Sequence, residues 1–237
     1  SRLPSPKIIM QALSEVKPSL VIAVPLIIEK IYKSKVKPVL EKSGIKFVMK
    51  LPGLEQVVMN KIRTELINAF GSEFYEVIIG GAAFNKEVEA FFKKMEFPFT
   101  VGYGMTECAP IITYDDWKTT KLYSCGRIVP NMEMKVDSPD PQNIPGELLV
   151  RGANVFLGYF KNEEATNEVL DADGWLHTGD MGIIDADGYL FLRGRSKCMI
   201  LGPSGQNIYP EEIEAVLDTR PYVLESLVIE ENGGLTA

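Results

Sequence analysis

The sequence predicts an α/β fold in which a parallel sheet is followed by a β-rich part. Three observations support this prediction: a continuous apolar run at 20–24, a strand–helix–strand succession over 75–103, and a change after about Pro110 to short strands and turns. A strand, a helix and a second strand at this spacing form a crossover unit whose strands are parallel neighbours. The chain has 237 residues, of which 46% are hydrophobic, and this is enough to bury a core.

Proline and glycine mark the helices expected in the first part of the chain. Pro6, after Ser5 as N-cap, begins a helix that runs to about Val16, and Pro25 begins a second helix that should end at Gly44. A third helix is expected over 54–70, with Gly71 as its C-cap. The run at 20–24 between the first two helices is typical of a buried parallel strand.

The crossover unit predicts where a ligand binds. Its first strand, 75–79, meets the small residues Gly80, Gly81 and Ala82, and its second strand, 97–103, leads into Gly104-Met105-Thr106-Glu107. Asn85 caps the intervening helix, whose apolar residues follow the i, i+3, i+4, i+7 spacing (Val88, Phe91, Phe92, Met95). Ligands in open α/β sheets bind outside the carboxyl ends of the strands. The two loops should therefore flank one crevice, with a carboxylate pointing into it.

Turn signals dominate the β-rich part. Strands are expected at 132–136 and 146–151, and Asn162 caps a short helix that ends near Leu170. Two Asp-x-Asp-Gly segments, 171–174 and 185–188, each lead into an aromatic residue and a strand. Such segments favour hairpin turns, and they lack the bidentate Glu of a calcium loop at the twelfth position.

The last part of the chain is predicted to begin another domain. Its composition becomes polar and glycine-rich from Gly194, a helix begins at Pro210, and a strand is expected over 224–230. About forty residues are too few to close a core of their own.

Composition excludes several functional classes. The net charge of −7 argues against a protein that binds the nucleic-acid backbone. The three cysteines lie far apart and there is one histidine, so the chain has neither a disulfide framework nor a common zinc site, and a reducing cytoplasmic location is expected. No signal peptide is visible, and the longest apolar stretch is about half a membrane span. The phosphate-loop, nucleophile-elbow and dinucleotide motifs are absent from the sequence.

Polar residues at the predicted strand ends indicate a magnesium–nucleotide site. The aromatic ring of Tyr103 can stack on a base, Thr106 can bond a phosphate or carboxylate oxygen, and Glu107 is a hard ligand suited to Mg²⁺. Asp180 can accept hydrogen bonds from ribose hydroxyls, and Arg195 can donate to ribose or phosphate oxygens. Taken singly, each has an ordinary structural interpretation, as a turn or as a solvated charge.

Five motifs, taken together, resemble those of a known protein family. They are Tyr-Gly-Met-Thr-Glu at 103–107, Gly-Glu-Leu-Leu-Val-Arg-Gly at 146–152, Gly-Tyr at 158–159, Asp-Gly-Trp-Leu-His-Thr-Gly-Asp at 173–180, and Gly-Arg-Ser-Lys at 194–197. In this order and spacing they resemble the adenylate-forming acyl-CoA synthetase superfamily, over most of the chain from about Gly80. Residues 205–214 resemble the start of its mobile C-terminal domain, and 24–32 are loosely similar to the long-chain fatty acid branch.

The resemblance implies two half-reactions. A fatty carboxylate attacks the α-phosphate of ATP to give acyl-AMP and pyrophosphate, and the thiol of coenzyme A then displaces AMP to give a thioester. By position, Gly80, Gly81, Ala82, Tyr103 and Gly104 would border adenine and the acyl carboxylate. Thr106 would touch the α-phosphate, Glu107 would hold Mg²⁺, Asp180 and Arg195 would hold the ribose, and Lys197 would be the hinge between the half-reactions.

The resemblance also implies the domain organisation. Residues 1–110 would be a partial α/β subdomain of the large adenylation domain, 111–194 a β-rich subdomain, and 195–237 the hinge and the start of a small α+β C-terminal domain. The family's phosphate loop should lie before Ser1 and its catalytic lysine after Ala237. The chain is therefore expected to be a fragment of a fatty acid–CoA ligase that catalyses neither half-reaction by itself.

Two alternatives stay open at this point. The acid could be medium-chain, aryl or amino acid, with Val24, Gly81 and residues 108–111 as pocket walls, or the chain could be a non-catalytic nucleotide-binding or docking module. The expected partners are a fatty acid, ATP and coenzyme A, with no nucleic acid. Peripheral membrane contact of the longer protein and its oligomeric state are left open.

Overall fold

The computed structural model describes residues 6–49, 51, 53–202, 206–218, 220, 222–223, 226–231 and 234–237. The chain divides into two compact units, one made of residues 1–102 and 115–123 and the other of residues 103–114 and 124–237. The predicted N-cap Ser5 and the first two residues of the strand expected at 224–230 lie outside the described residues.

The first unit is a three-stranded parallel sheet with helices between its strands. Its strands are β1 (Leu20–Ala23), β2 (Glu76–Ile79) and β3 (Phe99–Val101), in the order β1-β2-β3. Its helices are α1 (Pro6–Val16), α2 (Pro25–Ile31), α3 (Lys37–Leu40), α4 (Ser43–Val48), α5 (Leu54–Ala69) and α6 (Lys86–Lys94). Both strand pairs are parallel, which confirms the predicted crossover.

Helix α6 supplies the aromatic core of this unit. Asn85 caps it as predicted, with its side chain accepting the N–H groups of Glu87 and Val88. The ring of Phe92 is buried 5.0 Å from the ring of Phe97 and 5.8 Å from that of Phe99, measured between centroids. These contacts pack α6 against the start of β3, the strand that it precedes.

Two buried carboxylates hold the segment 115–123 on the first unit. Glu76, which is 1% exposed, accepts the N–H of Trp117 at 3.1 Å, and Glu89 on α6 accepts the N–H of Tyr123 at 2.6 Å. Burial raises the pKa of Glu89 to about 7. Each carboxylate accepts a part-buried backbone N–H that no strand or helix pairs.

Three predictions for this part of the chain are wrong in detail. The strand at 20–24 was expected to be buried, but Leu20 and Ile22 are exposed, and β1 is an edge strand of its sheet. The helix from Pro25 was expected to end at Gly44, but α3 ends at Leu40 and Gly44 lies inside α4. Pro38 has no N–H to donate to the preceding turn, and a π-helical turn, Tyr32–Val36, comes before it. The strand expected over 97–103 is in two pieces, because the chain leaves the first unit after Gly102.

The second unit contains an antiparallel four-stranded sheet and several shorter pairs. The sheet has the order β10 (Leu190–Arg195), β9 (Leu176–Ile184), β8 (Gly146–Gly152) and β7 (Met132–Asp137). The remaining strands are β4 (Tyr103–Gly104), β5 (Ile111–Tyr114), β6 (Arg127–Ile128), β11 (Ile200–Leu201), β12 (Asn207–Ile208), β13 (Ile229–Glu231) and β14 (Gly234–Thr236), and the helices are α7 (Glu163–Val169) and α8 (Pro210–Leu217). Alternate residues of the sheet, among them Leu148, Val150, Leu176 and Leu190, are fully buried in one core.

Both Asp-x-Asp-Gly segments are turns, as predicted. Asp171 and Asp185 each use the side-chain oxygen Oδ1 to accept two backbone N–H groups of their own turn, at 2.8–3.0 Å. The second turn joins β9 to β10 in an antiparallel hairpin. The first turn joins α7 to β9 instead, with only the bridge between Leu170 and Leu176 across it.

The expected C-terminal strand at 224–230 begins later than predicted, since the structure has β13 from Ile229. Among the residues described, no helix combines the length and apolar character that crossing a bilayer requires.

Candidate functional site

The predicted site residues are distributed over both units. Gly80, Gly81 and Ala82 follow β2 in the first unit, and the other candidates lie in the second. A Cβ at Gly80 would lie 3.2 Å from the carbonyl oxygen of Gly102, and Gly81 has a left-handed φ of +91°. A Cβ at Gly81 would lie 3.9 Å from Cγ1 of Val24, so these two predicted pocket residues are neighbours.

The loop after β4 carries Thr106 and Glu107 on a single helical turn, Thr106–Cys108. The N–H of Met105 donates to the carbonyl oxygen of Pro110 at 2.8 Å, which closes the loop. A Cβ at Gly104 would lie 2.1 Å from that same oxygen, so only glycine fits there. Thr106 is exposed and Glu107 is half-buried, whereas Cys108 is fully buried. Burial raises the pKa of the Cys108 thiol to about 11, which makes it a packing group and not a nucleophile.

Tyr159 holds the carboxylate of Glu107. Its hydroxyl donates to Oε1 of Glu107 at 2.8 Å, and the N–H of Phe156 donates to the Glu107 carbonyl oxygen at 2.7 Å. The sequence marked Tyr159 only as part of a motif and gave it no role. Sequence spacing carries no sign of this contact, because the two residues are 52 positions apart.

The donor set fits a Mg²⁺ ion held by one protein carboxylate. No group of three or more histidine, cysteine, aspartate or glutamate side chains suited to a metal exists within the described ranges. Mg²⁺ usually keeps several waters and binds through one or two carboxylates together with substrate phosphates. Glu107, half-buried and oriented by Tyr159, matches that pattern.

Asp180 lies at the centre of a cluster with Tyr103 and Arg195. The Tyr103 hydroxyl donates to Oδ2 of Asp180 at 2.5 Å, and Nε of Arg195 lies 3.0 Å from Oδ1. Asp180 and Arg195 are also paired across β9 and β10. The structure thus brings together three of the predicted residues, which lie up to 92 positions apart in the sequence.

Burial controls the ionisation of this cluster. Asp180 is 7% exposed, and its burial raises the pKa of the carboxyl group, while hydrogen bonding from Tyr103 and the charge of Arg195 act in the opposite direction. Burial also raises the pKa of Tyr103, with a smaller contribution from the charge of Asp180. Tyr103 therefore stays a neutral donor at physiological pH.

Lys197 lies just outside this cluster. It is exposed on the helical turn Ser196–Cys198, which follows Arg195 directly. Beyond that turn, the side chain of Glu211 on α8 accepts the N–H of Arg195 at 3.4 Å, and Glu212 lies 3.3 Å from Arg193. The hinge role of Lys197 stays a prediction.

Comparison with known proteins gives a family and a fold. The family model described as "AMP-binding enzyme" matches residues 1–160. The structure of o-succinylbenzoate–CoA synthetase from Bacillus subtilis, in complex with ATP and magnesium ion, superposes with a TM-score of 0.72 over 97% of this chain and 42% of that one. At 24% identity, this likeness shows the fold alone. It agrees with the predicted α/β class.

Three curated relatives are CoA ligases by name. The chain is 37% identical to 2-succinylbenzoate–CoA ligase of Bacillus cytotoxicus over 73% of its own length and 37% of that protein. It is 38% identical to 4-coumarate–CoA ligase 1 of Oryza sativa (65% and 29% covered) and 36% identical to long-chain-fatty-acid–CoA ligase ACSBG1 of Bos taurus (63% and 21% covered). The chain thus spans between 21% and 37% of the length of these relatives.

Proposed function

Because the chain belongs to the AMP-binding enzyme family, we propose that it is the nucleotide-binding part of an AMP-forming acid–thiol ligase. In the first half-reaction a carboxylate attacks the α-phosphate of ATP, and acyl-AMP and pyrophosphate form. In the second, the thiol of coenzyme A displaces AMP and a thioester forms. The names of the three relatives, all CoA ligases, support this reaction class.

The arrangement around Asp180 carries the proposal. A carboxylate has about four lone-pair positions, and the two contacts from Tyr103 and Arg195 leave acceptor capacity for other donors. The vicinal hydroxyls of a ribose are two such donors at a matching spacing. A carboxylate that is buried and already fixed by its neighbours needs little reordering on binding, which favours affinity.

The other candidates take roles that follow from their positions. We assign the ring of Tyr103 and the loop of Gly80, Gly81 and Ala82 to adenine and the acyl carboxylate, and Thr106 to the α-phosphate. Arg195 donates to ribose oxygens and Lys197 is the hinge. Glu107, oriented by Tyr159, would hold Mg²⁺, which when bound neutralises charge on the phosphate oxygens.

A long-chain fatty acid is the acid we propose, with an aryl acid as second candidate. The similarity to long-chain-fatty-acid–CoA ligase ACSBG1 supports the first. The similarity to 2-succinylbenzoate and 4-coumarate ligases, which covers slightly more of the chain, supports the second.

Non-hydrolysable acyl-adenylate analogues test both points. Hexadecanoyl- and 4-coumaroyl-sulfamoyladenosine are titrated against AMP, because mimics of a tightly held intermediate gain affinity over a product. We expect the hexadecanoyl analogue to bind at least about tenfold more tightly than AMP. Preference for the coumaroyl analogue would select the aryl acid instead. If neither analogue binds better than AMP, both of the proposed acids are contradicted.

A further inference from the structure

Strand β9 contains a bulge that includes Asp180. Glu147 of β8 pairs with Met181, and Leu149 of β8 pairs with His177. One residue of β8, Leu148, therefore faces three residues of β9, Thr178, Gly179 and Asp180. Extra residues of a bulge have no regular ladder partner on that side, and the bulge changes the direction in which side chains at that point of the strand project.

Side chains satisfy the backbone groups that the bulge leaves unpaired. Oε1 of Glu147 accepts the N–H of Gly179 at 3.0 Å. Thr178 Oγ1 donates to the carbonyl oxygen of Leu148 at 2.8 Å and accepts the N–H of Asp180 at 3.1 Å. Gly179 has φ +72°, which a residue with a side chain rarely adopts. A half-buried N–H in such a conformation needs its acceptor, since leaving it unpaired is costly.

The second oxygen of Glu147 contacts His177 of strand β9. Oε2 of Glu147 lies 3.0 Å from Nδ1 of His177, and Nε2 of His177 lies 4.0 Å from Oδ2 of Asp171. Both oxygens of the carboxylate are therefore committed to residues 177 and 179, on either side of Thr178. Glu147 reaches the backbone beside Asp180 through the hydrogen bonds of the bulge, and its negative charge also contributes to the raised pKa of the Asp180 carboxyl group.

We propose that Glu147 is a positioning residue for the nucleotide site: it accepts the Gly179 N–H, supported by His177, and so fixes the direction in which the Asp180 carboxylate points. The proposal rests on the function proposed above, in which Asp180 receives the ribose hydroxyls. It extends that site to a residue that touches no substrate.

Substitutions that separate reach from charge test this role. Glu147→Gln keeps the reach and one acceptor oxygen for Gly179, and its NH₂ can donate to a neutral His177 Nδ1. Glu147→Asp keeps the charge but is one methylene shorter, and Glu147→Ala removes the acceptor. Glu133→Gln is the matched control, because it changes a carboxylate on the neighbouring strand β7 that contacts Arg151 and not the bulge.

Two quantities are measured for each variant: AMP affinity by calorimetry, and the ¹H–¹⁵N amide shifts of Gly179 and Asp180. For Gly179, ¹⁵N labelling of glycine alone limits the amide spectrum to the 20 glycines of the chain. We expect Glu147→Asp and Glu147→Ala to bind AMP about tenfold more weakly, the scale of a lost charge-assisted hydrogen bond. Their Gly179 and Asp180 amide shifts should move, whereas Glu147→Gln and Glu133→Gln should stay near the wild type.

The outcomes separate this inference from the proposed function. Wild-type AMP affinity and unmoved amide shifts in Glu147→Asp would overturn the inference, even if Glu147→Ala fails to fold. Equal weakening in Glu147→Asp and Glu147→Gln would also overturn it, because reach would then not matter. If the wild-type chain binds no AMP, the proposed function fails, and the amide shifts of the same variants still decide whether Glu147 positions Asp180.

Discussion

Gly104 shows how closely backbone atoms approach in the loop that carries Thr106 and Glu107. A Cβ there would lie 2.1 Å from the Pro110 carbonyl oxygen, and the obstacle is backbone, which cannot rotate away. We expect Gly104→Ala to reduce the free energy of unfolding of the second unit by about 2–3 kcal/mol, as for other overpacked sites. Urea unfolding followed by the fluorescence of Trp175, in the same unit, measures this in a Trp117→Phe background.

The matched control for that substitution is Gly44→Ala. Gly44 lies in α4 and has no atom within 4 Å of an added Cβ. Alanine should therefore stabilise the helix by up to about 1 kcal/mol. Because Gly44 lies in the first unit, its variant is followed by the fluorescence of Trp117 in a Trp175→Phe background. If Gly104→Ala leaves its unit as stable as the parent chain, the tight approach at Gly104 does not exist.

Glu89 makes the stability of the first unit depend on pH. Its pKa is about 7 in the folded chain, against an ordinary value of 4.5, mainly because burial disfavours the charge. Between these values the folded state keeps a proton that the unfolded state has lost, so stability falls as pH rises from 4.5 to 7 and then levels off. The loss amounts to about 3 kcal/mol.

Trp117 lies in the segment that Glu89 helps to hold, and its fluorescence reports the unfolding of this unit in a Trp175→Phe background. As pH rises from 5 to 8, we expect the free energy of unfolding of the Glu89 chain to fall relative to that of the Glu89→Gln chain. A difference that stays constant over this range would show that Glu89 titrates normally.

Among the elements, the loop 153–160 matters because it supports Glu107. The hydroxyl of Tyr159 contacts the carboxylate that we assign to Mg²⁺. We expect Tyr159→Phe to weaken Mg-ATP binding by about tenfold, as loss of an outer-shell partner of a metal ligand does. AMP affinity without Mg²⁺ should stay unchanged. Calorimetric titration with both ligands measures this difference.

Tyr75→Phe is the control for Tyr159→Phe. It also removes a phenol that donates to a carboxylate, but the acceptor is Asp116 in the other unit. It should leave both affinities intact. Equal weakening of Mg-ATP and AMP in Tyr159→Phe would contradict a role through the metal ligand.

Elements with a local signal were predicted well from the sequence. Helix α6 follows from Asn85 and the apolar spacing of Val88, Phe92 and Met95, and the β9–β10 hairpin follows from the Asp-Gly turn before Tyr189. That hairpin also explains why Asp180 and Arg195 meet, because its register pairs them. Local signals fail where the contacting residues are far apart in the sequence. The segment 115–123 is held by Glu76 and Glu89, and the residues next to them in the sequence do not indicate these contacts.

The candidate site was only partly predictable for the same reason. Tyr103, Glu107, Asp180 and Arg195 lie in motifs with recognisable residue types. Glu147, His177 and Tyr159 act through contacts with other residues of the chain, and these contacts depend on a bulge and on a loop. A bulge is set by how two strands register against one core, so no short stretch of sequence specifies it.

At the scale of the whole molecule, the chain is a member of the AMP-binding enzyme family with its candidate residues in two compact units. It spans at most 37% of the length of the curated relatives compared above. The complete two-step reaction is therefore a proposal for the protein that contains this sequence. For these residues the central claim is narrower: Asp180, fixed by Tyr103 and Arg195, is the ribose acceptor of a nucleotide site.

Calorimetric titration of this chain with Mg-ATP, and separately with AMP, tests that claim most directly. We predict saturable binding of both, weakened at least about tenfold in Asp180→Ala through loss of hydrogen bonds to a charged acceptor. Binding should be unchanged in Asp173→Ala, which removes an exposed carboxylate from the turn before the same strand. Wild-type affinity in Asp180→Ala, or no binding of either ligand by the unaltered chain, would contradict the claim and leave the family membership intact.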